Sequence, residues 1–238
     1  MIRKLLFIFC LSLFFSCEYE DFDDNKDIET PLATCVDGFA TIPGTDHTYE
    51  CLDYDLMGHV SLEEMDAEAG NDCWGWTDEM TGREYAIMGV NNGTVFVDIT
   101  NPTNPTYLGK LPTATVDSSW RDMKVYKDHV YIVSEATNHG LQVFDLKKLR
   151  GLESAKIFVS DFLYNQYGQA HNIAINEETG HAYTAGARSR GIHVLDLSNP
   201  ISPELVLEAP DFGYSHDVQT VIYNGPDNDY KGKEVYNG

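Results

Sequence analysis

One short pattern of residues is written three times in this chain, and the distance between the copies limits what the chain can fold into. The copies are TVFVDITNPTNP at 94–105, after the turn Asn91-Asn92-Gly93, then GLQVFDLKKLRG at 140–151 and GIHVLDLSNPISP at 191–203. Each reads as a glycine, an apolar-rich run, an aspartate, one more apolar residue and a turn. The aspartates Asp98, Asp145 and Asp196 stand 47 and 51 residues apart. A period near 50 residues, filled with short β-like runs and turn residues, is the signature of an array of small sheets.

The residues between the copies supply the remaining strands. A first unit has WGWTD, a turn at Met80-Thr81-Gly82, EYAIMGV, the Asn-Gly hairpin signal, TVFVDIT and TYLGKL. A second runs from Trp120 through WRDMKVY, VYIVSEA and LQVFDL to KIFV at 156–159, read as its fourth strand. The third has HNIAIN, HAYTAGA, IHVLDL and ELVLEA, and a fourth begins with SHDVQTVIY and reaches EVYNG. Four antiparallel strands per repeat is the arithmetic of a β-propeller blade. The expected fold is therefore an all-β propeller over residues 73–238, truncated in its fourth blade, with further blades needed to close the ring. Asp98, Asp145 and Asp196 each precede a turn and are expected to accept from backbone N–H groups two residues on.

Ahead of the repeats lie three different segments. Residues 1–17 (MIRKLLFIFCLSLFFSC) have a basic start, a short apolar run and a small residue before Cys17, which is the pattern of a secretory signal. The run is short for a membrane span of about 20 residues. Leu13 and Ser16 place Cys17 in a loose lipobox, so Cys17 is the expected lipidation site; a plain cleaved signal is the alternative. Residues 18–30 are an acidic tether that buries too little apolar surface to order itself, read either as a surface-export signal or as a linker. Residues 31–72 lead into the repeats. Cys35 and Cys51 lie 16 residues apart around turn formers, a spacing that suits a disulfide in an exported protein, with Cys73 left over as a buried thiol or an intermolecular partner. The stretch LEEMDAEA at 62–69 reads as a loop or a short helical turn without a start signal.

The blocks WGWTDEMTGREYAIMGVNNGTVFVDITNPTNP, SSWRDMKVYKDHVYIVSEA, AHNIAINEETGHAYTAG and YSHDVQTVIYNGPDNDYKGKE closely resemble the choice-of-anchor B proteins, whose LVIVD-type repeat is seen here as TVFVD, LQVFD and IHVLD. The resemblance runs from about Cys35 to the C-terminus. It implies an exported, surface-displayed β-propeller, longer than this chain and without an established catalytic activity; a lipid on Cys17 would be its anchor.

Candidate site residues come from aligning the first strands. Thr81-Gly82 matches Thr179-Gly180, which sets Cys73-Trp74 opposite His171-Asn172, and Arg121-Asp122 and His216-Asp217 take the same place by pattern. First strands line a propeller's central channel, so Arg121, Asp122, His171, Asn172, His216 and Asp217 are expected to gather at one mouth of it. Histidine and carboxylate suit a divalent metal, with calcium or zinc the cofactors in view, and arginine suits a carboxylate or phosphate. The alternative is that these side chains bond the backbones of neighbouring blades. Asp227 and Asp229 resemble a weak calcium loop, against which stands Lys231 in a ligand position; a plain hairpin loop is the other reading.

Net charge of −22, from 16 basic and 38 acidic residues, argues against a nucleic-acid partner, which needs a basic face. Nucleophile-elbow, zincin, phosphate-loop and dinucleotide motifs are all missing from the sequence. The leading reading is a surface-anchored binding or scaffold module for an unknown ligand or protein, exported and held to the bacterial outer membrane only by its lipid. The competing one is a metal-dependent enzyme, a hydrolase with its site at the channel mouth.

Overall fold

The computed structural model describes residues 30–187 and 191–238. The signal-like start, Cys17 and nearly all of the acidic tether lie outside the described residues.

The chain is a succession of antiparallel meanders. A small hairpin, β1 (Phe39–Thr41) with β2 (Thr48–Glu50), sits between Cys35 and Cys51, which are joined by a disulfide with Cα atoms 5.9 Å apart. The first blade is β3 (Gly70–Asp78), β4 (Arg83–Val90), β5 (Gly93–Asp98) and β6 (Thr106–Pro112). The second begins with β7 (Arg121–Tyr126), β8 (His129–Ser134) and β9 (Leu141–Asp145). After β10 (Lys156–Ile157), it is completed by β11 (Phe162–Tyr164). The third is β12 (Asn172–Asn176), β13 (His181–Ala187), β14 (Gly191–Asp196) and β15 (Glu204–Ala209), and a last hairpin pairs β16 (Gln219–Ile222) with β17 (Glu234–Asn237). Helix among the described residues is confined to two 3-10 turns, Leu146–Leu149 and Pro210–Phe212, and none is long and apolar enough to cross a membrane. This is the all-β, propeller-type architecture that the repeats imply, and the ring is not closed among the described residues.

The turn residues explain where strands reverse. Asp78 and Asn176 open equivalent turns: each accepts at its side chain from the N–H two residues on, and Gly82 and Gly180 close back onto the Asp78 and Asn176 carbonyls with positive φ. Lys127 and Asp128 both have positive φ between the paired residues Tyr126 and His129, the requirement of a type I′ hairpin. The Asn-Gly hairpin is shifted by one residue from the sequence reading. Its loop is Asn91-Asn92, and Gly93 already pairs with Val90. Gly93 opens the repeated pattern for a different reason, shared by Gly140 and Gly191. A Cβ at these positions would lie 2.5, 2.2 and 2.1 Å from Leu111, Tyr164 and Ala209 carbonyl oxygens, at the end of the outermost strand. The repeated aspartates do what their positions imply: Asp98, Asp145 and Asp196 accept from Thr100, Lys147 and Ser198 N–H at 3.0, 3.0 and 2.7 Å.

Side-chain parity on the middle strands builds the core. On β8, Val130 and Ile132 face the first blade, joining Trp76, Tyr85, Ile87, Phe96 and Phe144, while Tyr131 and Val133 face the third, joining Leu141, Tyr164, Ile173 and Leu195. Alternate residues thus serve opposite neighbours, and every residue of β8 is buried. Across the first seam Arg150 clasps Asp78 with two hydrogen bonds of 2.7 Å, which hold the Asp78 carboxyl down at about 2.

The structure departs from the sequence reading at three points. Residues 156–159 do not supply the fourth strand of the second blade; β10 instead pairs in parallel with β6 of the first, Lys156 opposite Gly109, and β11 takes the outer place beside β9. Gly109 permits this, because its φ is +130° and any Cβ would lie 2.0 Å from Lys156 O. Phe158 then packs against Phe96 and Phe144, with ring centroids 5.6 and 5.0 Å away. Cys73 is exposed, which overturns the buried-thiol reading and not its alternative as an intermolecular partner. The stretch at 62–69 forms turns, and it has a start signal after all: Ser61 Oγ accepts from Glu64 N–H at 3.1 Å, the geometry of an N-cap.

Candidate functional site

The first strands β3, β7, β12 and β16 lie side by side in that order, so residues at their beginnings converge. Asn71, Arg121, Asp122, His171, Asn172 and Asp217 line a recess of about 310 Å³, with Asp72 and Trp120 completing its wall. His216 stands beside it, its ring centroid 3.9 Å from that of His171. Five of the six residues singled out from the sequence line this one space, and the sixth touches it.

Their hydrogen bonds divide them into two groups. Asn71 Oδ1 accepts from Arg121 N–H at 2.8 Å, Asp122 Oδ2 accepts from Ile173 N–H at 2.8 Å, and Asn172 Oδ1 accepts from Val218 N–H at 3.1 Å. Each first strand therefore holds the next by one side chain on one backbone donor. Asn172 also donates to Asp122 Oδ2 at 2.7 Å. Asp122 and Asn172 are stitches between blades, the alternative raised from the sequence. Burial, and then the neighbouring Asp72 carboxyl, push Asp122 up to about 6, against the pull of Lys124 and the Ile173 N–H.

Arg121 belongs to the seam as well. Its side chain is 1% exposed, with Nε donating to Val90 O at 3.3 Å and Nη1 to His139 Nε2 at 2.9 Å. Since a guanidinium only donates, His139 carries its proton on Nδ1, which donates to Gly140 O at 3.0 Å. Burial and then the Arg121 charge pull His139 down to about 4; burial lowers Arg121 to about 10, still cationic at neutral pH. Two of its three nitrogens are thus taken up by the seam, while Nη2 has no hydrogen-bond partner.

His171, His216 and Asp217 form the second group. One ligand-type atom from each lies within 4.8 Å of the others, and His216 Nδ1 is 3.0 Å from Asp217 Oδ2. His171 Nδ1 is 2.8 Å from Glu135 Oε1. Both His216 and Asp217 are exposed, on the segment that precedes β16.

Three residues here were not found from the sequence. Asn71 takes the place expected for Cys73-Trp74, because β3 starts earlier than its apolar pattern and its register slips between Gly70 and Cys73. Trp74 is displaced into a neighbouring recess, where Lys124 Nζ sits 4.4 Å over its ring. Glu135 reaches His171 across the second seam, and no local pattern marks it. Trp120, beside His171 at 6.0 Å between ring centroids, directly precedes Arg121 and was legible by adjacency. Asp227 Oδ1 accepts from Asp229 N–H at 3.0 Å, an Asx turn.

Residues 83–113 and 167–209 match the LVIVD repeat, a family of β-propeller-like repeats. The first match covers β4 to β6, and the second runs through the third blade to the end of β15. The second blade lies between the two matched segments, although its strands follow the same plan. No curated protein matches the chain.

Proposed function

We propose that this protein is a non-enzymatic binding module of the choice-of-anchor B type, exported, fixed to the cell surface through a lipid on Cys17, and taking its ligand at the recess between the first strands. The observation that carries the reading is the division of roles at that recess. Asn71, Asp122 and Asn172 each bond the backbone of the next first strand, while His171, His216 and Asp217 bring ligand-type atoms within 4.8 Å of one another beside them. A rigid frame with a few polar groups presented from it is the usual build of a recognition site. The basic-apolar start and the acidic run after Cys17 support export and anchoring.

The anchor is tested by labelling. Cells making the full chain are expected to incorporate labelled fatty acid into the wild type and not into Cys17→Ser, which moves to the soluble fraction; protease treatment of intact cells then reports which way the protein faces. An unlabelled wild type rejects the lipid. The competing reading, a metal-dependent hydrolase, draws on one observation, the contact between His171 and His216. Turnover of ester or phosphoester substrates by the wild type, lost in His171→Ala, would replace the binding reading with that one.

A further inference from the structure

We propose that His171, His216 and Asp217 hold one divalent transition-metal ion of the zinc class, oriented by Glu135 and open to an anionic group at a remaining position. This deepens the recess reading above and rests on it only for location, since a metal there serves a binding module and a hydrolase equally.

Neutral His171 is held in one tautomer. Glu135 as a carboxylate only accepts, so the 2.8 Å contact puts the proton of His171 on Nδ1 and leaves the Nε2 lone pair free. Metal-ligating histidines characteristically donate their second ring nitrogen to a carboxylate, which fixes the ring and raises its basicity. Here both partners are largely shielded from water, at 15% and 22% side-chain exposure. The imidazole is thus held by a group that is not itself one of the three candidate ligands. That orientation is an observation independent of the cluster.

Spacing supplies the next step. Zinc bonds of about 2.0–2.1 Å in tetrahedral geometry put neighbouring ligand atoms about 3.3 Å apart. His216 Nδ1 and Asp217 Oδ2, at 3.0 Å, share a proton at close to that edge length, and an ion bound between them would take the place of that proton. One ring nitrogen of each histidine and one Asp217 oxygen fall within 4.8 Å of one another, so closing the site needs a shift of at most about 1.5 Å, which the exposed His216 and Asp217 side chains can supply.

Ligand chemistry selects the ion. Two imidazole nitrogens and one carboxylate oxygen suit zinc, cobalt, nickel or copper, whereas calcium requires six to eight oxygen ligands. Three protein ligands are also one fewer than a closed structural zinc site uses, which leaves a position for water or for an anionic ligand. Asp72 and Asp122 on the same recess, together with a net charge of −22, make the surroundings favourable to a cation.

The test uses the full chain, stripped by a chelator and refilled with Zn²⁺ or Co²⁺, with metal counted by elemental analysis after desalting. The expected result is one zinc per chain, undisturbed by excess calcium, and the intense visible bands of four-coordinate cobalt. His171→Ala, His216→Ala and Asp217→Ala are each expected to weaken zinc affinity at least tenfold, and Glu135→Gln by about 10- to 100-fold. His216 and Asp217 are exposed, so their variants should melt like the metal-free wild type and any loss of zinc is not a folding failure. Wild type that retains no more zinc than the His171→Ala/His216→Ala double variant would overturn the proposal. So would calcium displacing the zinc. Zinc-loaded protein that neither binds a ligand nor turns one over rejects the functional reading and leaves the metal site standing. Wild type that retains no zinc after refilling yet takes a ligand at the recess does the reverse.

Discussion

The outermost strands of the first and third blades, β6 and β15, hold the same place in the same repeat and live in opposite surroundings. On β6, Leu108 and Leu111 are 4% and 2% exposed; on β15, Leu205, Val206 and Leu207 are 40%, 56% and 53% exposed. Sequence does not separate them, since TYLGKL and ELVLEA are both short runs rich in leucine. The difference lies in what comes to rest beside them. Along β6 lies β10, drawn in by the bare backbone of Gly109, and Phe158 follows it into the core while its N–H bonds Lys110 O at 2.8 Å. Lys110 in turn reaches Asn92 Oδ1 at 2.9 Å and the Asp66 carbonyl, tying the strand to the lead-in turns. No strand among the described residues pairs with the outer edge of β15, and its apolar side chains remain in solvent. An apolar edge of that kind is a surface for self-association. Burial of a propeller's outer strand is therefore conferred by its neighbour, not by its composition.

The covered side is where the contrast can be broken most strongly. Phe144 is fully buried, stacked on Phe96 with centroids 4.9 Å apart and beside Phe158. Phe144→Ala should cost about 4 kcal/mol, the usual loss for a large aromatic in a close-packed core; chemical denaturation measures it. Gly109→Val attacks the cause of the difference itself. The side chain would meet Lys156 O at 2.0 Å from a backbone at φ +130°, and the combined strain and loss of β10 should cost about 3 kcal/mol. Hydrogen exchange at residues 156–158 should rise, leaving β6 as open as β15.

Acid sharpens the comparison by loosening only the buried seam. His139 has a folded pKa of about 4 against roughly 6.5 unfolded. Its neutral form is thus favoured by folding: the contribution is complete above pH 6.5 and is lost as pH falls towards 4. The size is on the order of 2 to 3 kcal/mol. Asp122 acts in the opposite sense, because its carboxyl is raised to about 6 and its contribution grows as pH falls through that value towards about 3.9. The readout is accordingly the difference between wild type and His139→Gln, which keeps an acceptor for Arg121: their stabilities should diverge between pH 6.5 and 4. An unchanged difference over that range rejects a neutral buried imidazole. The smallest effect belongs to β15. Leu207→Ser should alter stability by less than about 0.5 kcal/mol while lowering self-association in light scattering; a large loss would mean that β15 is covered.

Much of the architecture was legible before any coordinates because its causes are local. An aspartate two residues before a free N–H, a glycine at a turn and an apolar run of strand length carry their meaning within a few residues, so Asp98, Asp145, Asp196 and the Thr-Gly turns fell where the repeats put them. The convergence of Arg121, Asp122, His171, Asn172 and Asp217 on one recess was also foreseeable, since equal positions in equal repeats come together around a common axis.

What lay outside that reach has a common reason: it depends on residues distant in sequence. The strand at Lys156–Ile157 chose the first blade over its own because Gly109 offered backbone and Phe96 offered a ring. Asn71 took the place expected of Trp74 because a register slip in β3 moved it there. Glu135 found His171, and Arg121 bonded Val90 O across the first seam, through contacts that form only after two blades pack. The amino-acid sequence by itself determined the repeat, its turns and the number of strands in each unit, because backbone sterics and side-chain alternation act over a few residues. Which strand is covered, and which of six gathered polar side chains bond the backbone of a neighbouring blade, was decided by the tertiary structure, because burial and hydrogen bonding are settled by neighbours that the linear order does not bring near.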